Sequence, residues 1–505
     1  MHLKRIKVNN FRALKNIQID FESDFSPRIF PLGSLNGGGK STLLQLTFIL
    51  LHCSASQDPD QLTFIKNLLS NFRVKTRDDL EELVVFTIVH NQDEYRIRFH
   101  ACQDTYINDF LSSSEANQPY FSSIIELQEK KKKLDVLVSE VARIKWGIDQ
   151  VKKVSLIDNP EIRSKEIRHV LNSLGIIGRQ LSRSVEESLP MARRSSISPR
   201  KIEEELRELL EIKNINLATA KHEHNKLHND VHVITRCLEE KHLNYVTTYY
   251  INGEDTNESL LYQVDGLARK DALSLLESIS SKIFMASPST QIYLFLSKED
   301  RLSIFKTKKT EKTEISSYFQ ALEDAKAKLD SFLSTYDFFE TRFLIDIFTQ
   351  ARDKDFQYAI ENKGEYGTNY QNLLTEINSI LPGKSINVTS DLSEITFSMT
   401  IDSEECNLFP EDLSHGELKK LNIYTWIKSY NIKDAIVLMD EPEIALHPDW
   451  QYELTNNLWE WEPRNQYILA THSYEICQPL TPNHVKEIEP KLLKDVFPNS
   501  NDSGN

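Results

Sequence analysis

Apolar and polar residues alternate along MHLKRIKVNNFRAL (Met1–Leu14), the period of a strand with one buried face. Neither this opening nor any later segment has the unbroken apolar length of a signal peptide or a membrane span. RIFPLG (Arg28–Gly33) is a short apolar run closed by glycine, and KSTLLQLTFILLHC (Lys40–Cys53) is apolar on every side with the length of a buried helix. Strand, loop and helix therefore follow one another. Toward the other end, DAIVLM (Asp434–Met439) and QYILA (Gln466–Ala470) are continuous apolar runs of strand length, as expected of parallel strands covered on both faces. EITFSMTI (Glu394–Ile401) alternates, QIYLFL (Gln291–Leu296) is a further expected strand, and helices should fill most of the chain from Ile315 to Leu381.

The middle of the chain has a different period. Leu127, Leu134, Leu137, Val141, Ile144, Ile148 and Val151 advance by seven, then by alternating three and four. A returning run, Leu210, Leu217, Leu227, Val231, Ile234 and Leu238, keeps to the same heptad, and DNPEI (Asp158–Ile162) breaks the outgoing helix. Two matched runs make an antiparallel hairpin, although either alone also suits an amphipathic core helix. At about 1.5 Å per residue, the roughly 25 to 37 residues of each run reach about 40 to 55 Å. PMARRSSISPRK (Pro190–Lys201) reads as a linker or tip. It could touch a phosphate backbone, as could EKKKKL (Glu129–Leu134) and KTKKTEK (Lys306–Lys312), but no aromatic residues interleave for base stacking. The expected divisions are 1–120, 121–245 and 246–505, and there is no internal repeat.

A chain of 505 residues, 40% hydrophobic, can build one large core or two to three domains. A formal charge of −15 excludes a surface that is basic all over, but not a local basic groove for nucleic acid. Cys53, Cys102, Cys237, Cys406 and Cys477 are scattered with no CxxC, which argues against a disulfide framework and a zinc site and suits a reducing, cytoplasmic setting.

The loop between the first apolar strand and helix, GSLNGGGKST (Gly33–Thr42), carries the first chemistry. In a GxxxxGK[ST] loop the backbone N–H groups wrap the phosphates of ATP, the lysine reaches the β- and γ-phosphates, and the hydroxyl holds Mg²⁺. Gly39, Lys40 and Ser41 fill the last three places, with Asn36, Gly37, Gly38 and Thr42 completing the candidate cradle. Ser34 stands where the pattern has its first glycine. DAIVLMDEPEIALHP (Asp434–Pro448) runs from strand into paired acids. Asp440 is the candidate Mg²⁺ ligand and Glu441 the group that polarises the attacking water. Alone, the loop could merely cap a helix and the acids could form a solvated turn, but together they specify a MgATP site.

LSHGELKKL (Leu413–Leu421) precedes the acids and QYILATHS (Gln466–Ser473) follows them, an order that resembles the ATPase heads of the ABC and SMC class. The resemblance implies that Ser414 and Gly416 face the γ-phosphate held by a second subunit, that His472 is a switch histidine, and that the chain forms a homodimer or higher oligomer. IKVNNFRALKNIQIDF (Ile6–Phe21) is similar to the first strand pair of SMC-like and RecF-like heads, which would bring Arg12 close to the phosphates. DEPEIALHPDWQ (Asp440–Gln451) resembles stand-alone bacterial ATPases of the OLD and Septu types; Ile444 to His447 would then form the loop crossing between subunits, with no metal role for His447.

The implied fold is α/β: an ABC/SMC-like P-loop head made from 1–120 and 246–505, with the helical (coiled-coil) hairpin of 121–245 inserted. Among named families the chain is most similar to the Septu-type ATPase subunit of anti-phage systems, with OLD-type ATPases next. That resemblance implies an ATP-hydrolysing subunit gating a separate nuclease, of the HNH type as in Septu, with DNA a further candidate partner. Only about thirty residues follow His472, and no His-Asn-His constellation or second acidic cluster is visible, so the effector is expected on another chain. A RecF/SMC-like DNA repair ATPase and a stably nucleotide-bound scaffold are the alternatives.

Overall fold

A computed structural model describes residues 1–34, 37–56, 58–75, 79–103, 106, 120–175, 198–250, 257–289, 327–336, 341–401 and 404–488. The chain divides into two compact units, one of Met1–Tyr106 with Glu239–Asn505 and one of Ile107–Leu238.

Among the described residues, the first unit is organised by two six-stranded sheets and one three-stranded sheet. The amino-terminal alternation becomes β1 (His2–Phe11), antiparallel to β2 (Leu14–Asp20) on one side and to β4 (Glu81–His90) on the other. With β5 (Asp93–Gln103), β6 (Asn244–Tyr250) and β7 (Asn257–Val264), these form an antiparallel sheet in the order β2-β1-β4-β5-β7-β6. The other large sheet is parallel, in the order β15-β3-β14-β13-β8-β9. Its members are β3 (Ile29–Gly33), β8 (Ile283–Ser287), β9 (Leu333–Thr335), β13 (Ile436–Asp440), β14 (Gln466–Ala470) and β15 (Lys486–Glu487).

The apolar runs of this parallel sheet serve two cores at once. Phe30, Leu32, Ile283, Met285, Ile436, Leu438, Ile468 and Ala470 join a core shared with the antiparallel sheet and α1 (Lys40–Phe48). The residues between them, among them Ile29, Phe284, Val437, Met439, Tyr467 and Leu469, pack on the opposite side against α9 (His415–Ser429) and α10 (Pro448–Trp461). Burial on both faces is why these strands show no alternation in the sequence. A third core unites α7 (Thr341–Glu361), α8 (Asn369–Ile380) and the antiparallel sheet β10 (Lys384–Val388), β11 (Ile395–Ile401), β12 (Glu404–Leu408). Between β7 and β8 runs α6 (Arg269–Ser280), and α2 (Pro59–Leu69) follows α1. QIYLFL lies outside the described residues, as does KTKKTEK.

The second unit holds α3 (Tyr120–Ser155), α4 (Pro160–Ser173) and most of α5 (Pro199–Glu240). Lys130 pairs with Glu223 at 3.0 Å and Glu140 with Lys213 at 2.7 Å, so ten residues forward on α3 match ten residues back on α5 and the two helices run antiparallel. Their 36 and 42 residues correspond to about 54 and 63 Å. Val141, Ile144, Ile148, Val151, Leu227 and Leu238 are buried, and Leu127, Leu134, Leu137, Leu210 and Leu217 half-buried. The side chains of Val231 and Ile234 lie outside the described residues. DNPEI ends one helix and starts another: Asn159 caps α4 by accepting from the N–H groups of Glu161 and Ile162, with Pro160 at the first helical position. Ile167, Val170 and Leu171 of α4 share a small core with Ile144, Ile148, Ile202 and Leu206, so the segment after the break is itself a packed helix.

Candidate nucleotide site

The parallel order of the second sheet places the ends of β3, β13 and β14 at one edge, with β14 between the other two. That edge is where ligands sit in sheets of this kind. The glycine-rich loop leaves β3 there, the paired acids leave β13, and His472 follows β14. Asp440 has the same parity as Ile436 and Leu438, so the pleat points it to the α1 side, and α1 begins with Lys40 and Ser41.

Gly39 caps α1 in the left-handed conformation (φ 91°), and a Cβ built on it would lie 2.6 Å from Leu14 Cδ2 and 3.6 Å from Ala13 Cβ. A side chain is therefore disfavoured there by backbone and by space. The same contact sets the tight turn between β1 and β2 against the loop. Arg12, on that turn, donates to the carbonyl of Leu68 at 2.8 Å and lies over the ring of Phe11. Lys40 is buried, and its ammonium donates to the carbonyl and hydroxyl oxygens of Ser34 at 3.1 and 3.2 Å. Thus Ser34 supplies a hydroxyl contact to the lysine that a glycine would lack. Burial lowers the Lys40 pKa, against the nearby charges of Glu443, Asp440 and Glu441. Gly37 (φ 79°), Gly38 and Thr42 flank the lysine, and Asn36 lies outside the described residues.

Ser41 Oγ donates to Asp440 Oδ1 at 2.9 Å, joining positions 399 residues apart. Asp440 is fully buried, and its Oδ2 has no hydrogen-bond partner. Burial, reinforced by Glu441 and Glu443 and opposed by Ser41 and Lys40, pushes its carboxyl up to about 6. A buried carboxylate oxygen with no donor and a hydroxyl beside it suit a hard cation with oxygen ligands. Ser41 and Asp440 would hold Mg²⁺.

Glu441 leaves the strand with φ 47°, a conformation an L-residue rarely adopts. Its N–H extends the sheet ladder to the carbonyl of Ala470 at 2.8 Å. Glu443 accepts from the His472 N–H at 2.6 Å and the Thr471 hydroxyl at 2.8 Å, so it anchors the backbone at the end of β14; His472 itself is exposed. His447, an exposed loop residue in the sequence reading, caps α10 by accepting from the Asp449 N–H at 3.3 Å.

Ser414 caps α9 in a reciprocal box with Glu417: the Ser414 hydroxyl accepts from the Glu417 N–H, while the Glu417 carboxylate accepts from the Ser414 N–H and hydroxyl at 2.8 and 2.9 Å. Lys384 of β10 pairs with the other oxygen of Glu417. A Cβ on Gly416 would fall 2.9 Å from both the Ala445 carbonyl oxygen and Trp450 Cζ3, so the signature turn packs directly on the loop after Glu441. No motif pointed to Lys384 or to the anchoring role of Glu443, since both act through partners distant in the chain.

A family model for the AAA ATPase domain matches residues 1–477. The chain belongs to the AAA ATPase domain family. It is thus an ATP-binding ATPase. Among solved structures, the ATPase is similar to the Smc head domain with an extended coiled coil bound to the C-terminal domain of ScpA from Pyrococcus furiosus, at 11% identity over 94% of this chain and 91% of that one, with a TM-score of 0.30. It is also similar to the Smc head domain with a coiled coil and joint from Pyrococcus yayanosii, at 14% identity over 95% and 94%, with the same TM-score of 0.30. Among the described residues, no helix is long and apolar enough to cross a membrane, and no group of three or more His, Cys, Asp or Glu side chains could hold a metal.

Proposed function

We propose that this ATPase hydrolyses MgATP between two paired heads, and that head pairing gates a separate nuclease in an anti-phage complex. The observation that carries the catalytic part is the 2.9 Å bond from Ser41 to Asp440 beside the unpartnered Oδ2, a ligand pair for the cation of MgATP. When bound, Mg²⁺ would neutralise charge developing on the transferring phosphate. Lys40 leaves Ser34 for the β- and γ-phosphates. Glu441 orients and polarises the attacking water, its direction fixed by the backbone bond to Ala470. His472 and the amino end of α9 at Ser414 and Gly416 meet the γ-phosphate, the latter from the partner head, where helix-end N–H groups suit an anion.

The defence role is supported by the resemblance of the 440–451 segment to Septu-type ATPases. On this reading ATP-bound heads are closed and hold the nuclease inactive, and loss of ATP releases it. Purifying the chain with and without its genetic neighbour, and assaying plasmid cleavage across ATP concentrations, tests the gate. Cleavage is expected from the complex alone, falling as ATP rises. Cleavage by the isolated chain, or by the complex in proportion to ATP, would overturn it.

A further inference from the structure

Glu441 and Ser414 belong, on the paired-head reading above, to different composite sites, yet one side chain of α9 connects them within a single chain. The Lys419 ammonium donates to the carbonyls of Ile444 at 2.9 Å and Glu441 at 3.3 Å, and lies 3.9 Å from the centre of the Tyr336 ring. Lys419 is 2% exposed, so these contacts are made in a desolvated interior. Its neighbour one turn on, Asn422, donates to the Thr335 carbonyl at 2.6 Å, fixing the same helix face to the strand end from which Tyr336 emerges.

The geometry is specific in what it holds. Glu441 sits at φ 47° and Ala445 at φ 66°, and Lys419 binds the carbonyl of the first and of the residue before the second. With its N–H committed to Ala470 and its carbonyl to Lys419, Glu441 has both backbone polar groups fixed. The same helix begins at Ser414, and Gly416 packs on Ala445, so a shift of the helix start moves the loop and the lysine together.

We propose that Lys419 is a positioning residue that orients Glu441 for its own site by holding the backbone on either side of the loop that follows it. The inference rests on the paired-head reading, and mixed pairs separate the two. A Lys40→Ala chain mixed with a Ser414→Arg chain leaves one intact composite site, built from Lys40 and Glu441 of the second chain and Ser414 of the first. Adding Lys419→Met to the Ser414→Arg chain, whose Glu441 serves the surviving site, leaves every phosphate- and cation-binding residue of that site native. The kcat of the surviving site should fall about tenfold, with KM for ATP held within about twofold, the pattern of lost transition-state rather than ground-state interaction. Lys419→Arg should recover part of the rate.

Moving Lys419→Met to the Lys40→Ala chain, whose Glu441 serves the broken site, should leave the surviving rate unchanged. Tyr336→Leu in the Ser414→Arg chain, which removes the aromatic contact and the hydroxyl's 3.1 Å bond to the Ala286 carbonyl, should give a smaller fall in kcat and carries the test if Lys419→Met does not fold. An unchanged rate with Lys419→Met in the Ser414→Arg chain, an equal fall with it in the Lys40→Ala chain, or a loss confined to KM overturns the proposal while leaving paired heads intact. No turnover in the starting mixture overturns both.

Discussion

Replacing Asp440 by asparagine should stabilise the nucleotide-free protein at neutral pH while abolishing Mg²⁺-dependent turnover. The buried carboxyl is pushed up to about 6, against about 3.9 for an aspartate in the unfolded chain. Holding it ionised in the fold at pH 8 therefore costs about 3 kcal/mol. Asparagine keeps an acceptor for Ser41 at the Oδ1 position and sheds the charge, but puts an amide donor where Oδ2 has no partner. An unmet donor returns about 1 kcal/mol of that gain, leaving about 1 to 2 kcal/mol, or a few degrees in melting temperature. The sign with pH follows from proton uptake. Because the folded pKa is raised, the native wild type binds more protons than the unfolded chain between about 4 and 6. Wild-type stability thus gains as pH falls through that window, and its deficit against the variant closes by about pH 4. Calorimetry in EDTA at pH 8, 6 and 4.5 measures the gap, and adding MgATP should stabilise only the wild type. A variant that melts below wild type at pH 8 in EDTA, or a gap that does not change with pH, would refute the reasoning.

Glu441→Gln should retain MgATP while slowing hydrolysis by about two orders of magnitude or more, since Lys40, Ser41 and Asp440 remain; trapped nucleotide after gel filtration checks this. Gly416→Ala should cost about 1 to 3 kcal/mol by driving a methyl into Ala445 and Trp450, seen in thermal melts of the nucleotide-free protein. Lys384→Met should destabilise by about 3 kcal/mol at neutral pH by leaving the buried Glu417 charge without its cation. Although burial alone would raise it, hydrogen bonds from Lys384 and Ser414 hold the Glu417 carboxyl below its usual range. Its contribution is therefore present above the unfolded pKa and fades as pH falls through the folded one, so the difference between variant and wild type should shrink in acid melts.

The residues proposed to meet the nucleotide were readable because glycine, lysine and acid at fixed spacing have few other uses. Gly39, Lys40, Ser41, Asp440 and Glu441 converge at one sheet edge, and the strands carrying them showed as apolar runs because both their faces are buried. What holds these residues in place was not readable. Lys384, Lys419 and Glu443 act on backbone or carboxylate groups 33, 22 and 29 residues away, a relation without period or spacing. β6 and β7 escaped for a related reason: β7 joins the antiparallel sheet by pairing with β5, which precedes the helical insertion in the sequence, and β6 joins through β7. The heptad count found the long helices but gave no sign of α4, whose three buried positions complete a local core.

The order of the parallel sheet also gives this protein a timetable. β3 is among the first segments made, yet its hydrogen-bonded neighbours, β14 and β15, begin at Gln466 and Lys486. At roughly 5 to 20 residues per second, the strand bearing the phosphate loop waits about 20 to 90 seconds on the ribosome for a partner. Gln466 closes the seam from two directions, its backbone starting β14 while its side-chain amide donates to and accepts from the backbone of Leu3 at 2.9 and 2.7 Å. A nascent chain halted anywhere before that residue has Lys40 and Ser41 but no sheet to hold them against Asp440. Tight MgATP retention would therefore mark a chain that has been read through to its last strands.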